Sequence, residues 1–173
     1  MLLTALRRHF LLFSLLMSAN SLWAADAVNA ALPIKKEIDP ICRLGSNNIS
    51  IDYKHLAFIY DEYQVAVDDE RCGISLRYRV TIYRYPGWAK NELVDNRDII
   101  SLGKMPLVQP DKNRKLFYSQ TEAGKAIFIG QHDNVYLNIS YALKNPSFER
   151  PFVHLLKQKI DTLYSLTLEQ SGF

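Results

Sequence analysis

The sequence predicts an α+β domain: a meander-like antiparallel sheet of about six or seven strands, packed against one C-terminal amphipathic helix. Three observations carry that expectation. Residues 73–85 alternate strictly, with Ile74, Leu76, Tyr78, Val80 and Ile82 on one parity and Ser75, Arg77, Arg79, Thr81 and Tyr83 on the other, the period of a strand with one buried face. Residues 135–143 repeat the pattern, with Val135, Leu137, Ile139, Tyr141 and Leu143 facing one way. Beyond Ser147, Phe152, Leu156, Ile160, Leu163 and Tyr164 recur at helical spacing, which leaves a helix with an apolar face that a sheet must cover.

The N-terminus reads as an export signal. Arg7 and Arg8 precede an apolar run over residues 10–17, and Ala24, Ala25 and Ala27 supply small residues for cleavage, the three regions of a secretory peptide. The segment is therefore assigned to residues 1–24, with cleavage as late as 27, and the general secretion route is favoured over a twin-arginine route because Leu6 replaces the usual hydroxyl residue. The run is too short to span a bilayer, so no stable membrane anchor is expected after cleavage, and the mature chain is placed in the periplasm or outside the cell. Removing a segment with two arginines and no acid brings the formal charge of +3 close to neutral. Nucleic acid is thereby excluded as a partner, and Lys112, Arg114 and Lys115 read as a solvated turn.

The mature chain, about 145 residues, suffices for one compact domain. Residues 25–41 show no sustained period and form a lead-in segment, and residues 42–173 form the domain. The chain has two cysteines, Cys42 and Cys72, which in an exported protein pair as a disulfide. It would pin the lead-in segment to the turn before the central strand.

Taken in order, Ile49, Ile51 and Tyr53 begin a short strand. The apolar run Leu56–Tyr60 fits either a buried strand or a helical turn. Tyr63, Val65 and Val67 form the hairpin partner of strand 73–85 across a polar turn ending at Gly73. Alternation stops at Pro86, and residues 86–113 read as a long irregular connection, with a short helix conceivable at Trp88–Val94, serving as a cover over the core or as a binding loop. Strands return at 116–119 and 125–130, with Gly124 free to take a positive φ in the turn between them. Gln131–Asn134 turns into strand 135–143. Asn145-Pro146-Ser147 ends that strand, with Ser147 as helix cap, Glu149 at the positive end and Pro151 tolerated in the first turn.

Chemistry is sparse. The sequence lacks a Gly-x-Ser-x-Gly elbow, and Gly124-Lys125 fails the phosphate-loop pattern at Ser119 and Ala126. His55, His132 and His154 are not spaced as metal ligands, so no metal and no cofactor is assigned. Asp61-Glu62 and Asp68-Asp69-Glu70 read as solvated turn acids, and the Asn-Ile-Ser strings at Asn48 and Asn138 lie in strands of a bacterial-style exported chain, where glycosylation is discounted.

What remains is a surface. Arg77, Arg79, Tyr83 and Tyr85 share one parity of the central strand, Tyr136 shares the corresponding parity of strand 135–143, and Trp88 follows. Arg and aromatic residues are enriched where proteins bind one another. The expected function is a non-catalytic exported domain that binds another envelope or secreted protein, as inhibitors, immunity proteins and envelope assembly factors do. The alternative is a carrier whose sheet curls around an apolar small molecule beneath residues 86–113, and the third a hydrolytic enzyme with an unrecognised site.

Overall fold

A computed structural model describes residues 28–102, 108–111, 116–122 and 124–170. The expected signal segment and the Lys112, Arg114 and Lys115 cluster lie outside the described residues. The chain is α+β, with one antiparallel sheet and a C-terminal helix. Strands β1 (Ile49–Leu56), β2 (Tyr60–Asp69) and β3 (Ile74–Tyr83) run as two hairpins, β3 pairs with β7 (Val135–Leu143), and β7 pairs with β6 (Lys125–His132). Beyond β6 the ladder continues through β5 (Leu116–Glu122) to β4 (Val108–Asp111).

The parity read from the sequence sets the two faces. Tyr63, Val65 and Val67 of β2 pair across to Val80, Tyr78 and Leu76 of β3, and those to Leu137, Ile139 and Tyr141 of β7. All are buried in one cluster with Phe152, Leu156, Ile160, Leu163 and Tyr164 of the C-terminal helix, Glu149–Gln170. Ring edges interlock there, with Tyr141 5.6 Å from Phe152. Burial of such side chains contributes about 1.5–3 kcal/mol each, which makes this face the main stabilising element.

Residues 28–38 belong to the same core. Their sequence lacks a period because they form only a helical turn at 28–31 and a short helix α1 (Lys35–Ile38), yet Val28, Ala31, Leu32 and Ile38 are buried. Lys159 of the C-terminal helix is buried. Its ammonium donates to the Ala30 carbonyl at 3.0 Å and meets the Glu37 carboxylate at 2.7 Å. A buried ammonium is tolerated only with such partners, and the contact locks the N-terminal segment onto the helix.

The expected irregular connection is largely a helix. Residues Pro86–Leu102 form α2, seventeen residues long, on the face opposite the C-terminal helix, α3. Proline is compatible with a first turn, and the weak amphipathicity of α2 follows from its narrow apolar contact: Ala89 and Leu93 are buried on Ile129 and Tyr136. Beneath residues 89–93 the sheet face is covered by these packed side chains. Met105 and Leu107 of the expected connection lie outside the described residues.

Smaller corrections have local causes. Leu56–Tyr60 is neither a buried strand nor a helix: Leu56 ends β1, residues 57–59 form an exposed turn, and half-buried Tyr60 begins β2. Asn145, not Ser147, makes the cap: its side chain accepts from the Ser147 N–H at 3.1 Å over a 3₁₀ turn, Pro146–Phe148, that precedes α3. Gly124 takes φ +82°, and a Cβ there would stand 2.5 Å from the Leu143 carbonyl oxygen. Glycine is thus required both for the turn and for the close approach.

Candidate functional site: an aromatic end on a charged platform

The two ends of the sheet are built differently. At one end the Cys42–Cys72 disulfide spans Cα atoms 5.9 Å apart, and beside it the buried Asp69 carboxylate accepts from the N–H groups of Gly45, Arg71 and Cys72 and from the Asn48 amide. Those donors hold the carboxyl far below its usual range. Asp69 is a structural clamp, not the solvated turn acid its sequence context suggested.

At the other end apolar side chains face outward. Leu56, Phe58 and Ile59 of the β1–β2 turn and Tyr85 and Trp88 of the β3–α2 junction are all exposed, Phe58 by 87%. Ile59 N–H donates to the Leu56 carbonyl across the turn, and Phe58, at its third position, adopts φ +65°. Glycine or asparagine is usual at such a position, and a side chain held there carries backbone strain of about 1–2 kcal/mol. The two loops are stitched together, because Arg84 N–H donates to the Ile59 carbonyl at 2.9 Å and Asn134 bridges to both N–H and carbonyl of Tyr83. Edge-to-face contacts link Tyr60, Tyr83, Trp88 and Tyr85 at centroid spacings of 5.8, 6.4 and 5.1 Å.

Charged clusters brace this end on both faces. On the α3 face, Asp61 accepts from Tyr53 Oη at 2.8 Å, meets His55 Nδ1 at 2.6 Å and pairs with Arg84 at 2.9 Å. Burial pushes the Asp61 carboxyl up, but the His55 and Tyr53 bonds and the Arg84 charge outweigh it and the net direction is down. The bond to Asp61 in turn raises the Tyr53 hydroxyl to about 12. On the α2 face, Arg79 lies between Glu92 at 2.8 Å and Glu62 at 3.6 Å, and the Tyr83 hydroxyl donates to Glu92. Burial and then that carboxylate drive the Tyr83 hydroxyl well up. Asp61 and Glu62 are thus half-buried, paired strand residues rather than solvated acids.

The Arg/Tyr stripe expected from parity is split by α2. Arg79 and Tyr83 are half-buried beside the helix and engaged with Glu92, and Tyr136 is fully buried, its hydroxyl raised to about 12 chiefly by that burial. Arg77 remains exposed on the same face, away from the described contacts of α2, paired with Asp68 at 2.7 Å. There it borders a shallow open depression of about 290 Å³ floored by small residues such as Ser75, Ser140 and Ala142. Of the six expected residues, Tyr85 and Trp88 are exposed at the aromatic end, and Tyr83 lies half-buried beneath them. Leu56, Phe58 and Ile59 were missed, although a five-residue apolar run where a hairpin turn would ordinarily be polar was their signal.

Of the remaining histidines, His132 lies edge-on to Tyr164 at 5.5 Å and His154 is exposed on α3. Among the described residues no cluster of three or more His, Cys, Asp or Glu side chains is placed to hold a metal ion, and no helix is long and apolar enough to cross a membrane. No protein-family model matches the chain, and no curated protein is similar enough to count as a relative.

Proposed function

We propose that the chain is a non-catalytic, exported protein-binding domain whose contact surface is the aromatic end of the sheet. The observation that carries this reading is Phe58: a large apolar side chain at left-handed φ, almost wholly exposed, on a turn tied by backbone bonds to the loop bearing Tyr85 and Trp88. Contiguous exposed apolar surface is uncommon outside interaction sites. Aromatic anchors on a stiff support bind with little loss of conformational freedom. The residues beneath are already engaged with one another, so the platform is formed before a partner arrives.

Export is part of the proposal. The N-terminal pattern of charge, apolar run and small residues supports it, as does a disulfide, which is stable in an oxidising compartment. The partner is accordingly another envelope or secreted protein, in the manner of an inhibitor, an immunity protein or an assembly factor. The immobilised mature chain is to be incubated with envelope extract and the retained complex mapped by amide hydrogen exchange. Protection over residues 56–59 and 84–88 is expected. Protection confined to the Ser75 and Arg77 depression, or no retained protein, would contradict the assignment.

A further inference from the structure

The two edges of the sheet are unlike each other. The β4 edge has four residues, contains Pro110 and shifts register against β5, devices that discourage strand addition. The β1 edge has eight residues, Ile49–Leu56, paired to β2 without a register break and containing neither proline nor glycine. Asp68 N–H donates to the Asn48 carbonyl at 3.0 Å, in line with the Ile49↔Val67 register. Antiparallel strands alternate hydrogen-bonded and non-hydrogen-bonded pairs, so the even residues of β1 bond to β2. The backbone groups of Ile49, Ile51, Tyr53 and His55 therefore point away from the sheet.

We propose that β1 pairs with β1 of a second copy of this chain, antiparallel about a two-fold axis at Tyr53. The occupant and the register follow from charge. With Tyr53 opposite Tyr53 of the second copy, Asp52 of each chain faces Lys54 of the other, and Ile51 faces His55. A shift of two residues one way sets Asp52 against Asp52, and the other way sets Lys54 against Lys54. Like charges directly opposite destabilise a ladder and opposite charges support it. Shifts of one residue would turn the two sheets' faces in opposite senses. The Tyr53-centred register also joins outward-pointing backbone groups to outward-pointing backbone groups. It covers Ile51 and Tyr53, which are 54% and 57% exposed in the isolated chain. The dimer carries its two aromatic ends at opposite ends of the shared ladder, so both stay open. Dimerisation through β1 is independent of whether those ends bind a partner.

Sedimentation equilibrium of the mature, disulfide-bonded chain over a range of concentrations tests this. The wild type is expected to self-associate as a dimer. Asp52→Lys places like charges opposite each other twice, and so does Lys54→Asp. Each variant alone should dimerise at least about tenfold more weakly than wild type, while an equimolar mixture of the two forms a heterodimer. Ile51→Pro removes one outward N–H that β2 does not use and should give a folded monomer, with folding checked by the circular dichroism melt. A wild type that stays monomeric at every concentration would overturn the proposal. So would charge variants that dimerise as well as wild type, or a mixture that fails to recover association.

Discussion

The disulfide end and the aromatic end of the sheet solve opposite problems with similar residues. At the first, a buried carboxylate, Asp69, draws in three backbone N–H groups and an amide, and a covalent bond closes over it. At the second, Asp61 and Glu92 are as fully engaged, but what they hold in place is an apolar surface facing water, with a phenylalanine in a glycine-like conformation at its tip. Polar satisfaction at one end stabilises the chain itself. At the other it stabilises a shape that the chain alone does not need.

The largest effect separating the two ends should come from breaking the disulfide. Cys42→Ala with Cys72→Ala opens a loop closed across 30 residues and is expected to cost about 2–5 kcal/mol in denaturant unfolding, with the aromatic end unaffected as a binding surface once folded. Next, Tyr83→Phe removes a half-buried hydroxyl from the Glu92 carboxylate. Loss of a bond to a charged group costs about 1.5–3 kcal/mol, read in the same melts, and should loosen α2 against the sheet. Phe58→Gly should go the other way. It relieves the left-handed strain at the expense of a more flexible unfolded chain, and leaves stability unchanged or higher by up to about 1 kcal/mol. A clear destabilisation by Phe58→Gly would mean that Phe58 serves the fold rather than a partner.

The ends should also titrate apart. Asp69 and Asp61 both have folded pKa values below their unfolded ones, so each contributes stability above about pH 4 that is lost as the pH falls through its folded value. Asp69, the more strongly lowered, should hold its contribution to lower pH. Asp69→Asn should therefore flatten the acid limb of the stability curve more than Asp61→Asn does. On the alkaline side Tyr53, raised to about 12, stabilises the fold below pH about 10, and that contribution disappears as the pH climbs through its folded value. Tyr53→Phe should remove Tyr53's own share of the alkaline loss, the smallest of the effects, and leave the shares of Tyr83 and Tyr136, measured by thermal melts across the range.

What was legible in the sequence was what a period of two or of three to four encodes. The β2–β3 hairpin, β7, the apolar face of α3 and the cysteine pair follow from alternation, helical spacing and the expectation of export. Residues 86–102 were opaque because, among the described side chains of α2, Ala89 and Leu93 are the buried apolar ones, too few to print a helical stripe. That hidden helix is also why Arg79, Tyr83 and Tyr136 looked like one open surface with Arg77: parity assigns a face, but not what covers it. The aromatic end was half visible. Tyr85 and Trp88 stood out by residue type, whereas Phe58 is informative only through its φ and exposure, which no spacing rule reports.

The most direct test of the central claim is capture from envelope extract by three immobilised mature chains: wild type, the triple variant Phe58→Ser, Tyr85→Ser, Trp88→Ser, and Arg77→Ala, which alters the same sheet away from the aromatic end. The same protein should be retained by wild type and Arg77→Ala and be absent from the triple variant, with the triple variant's melt showing that it is folded. If the folded triple variant retains that protein as wild type does, the aromatic end is not the binding surface.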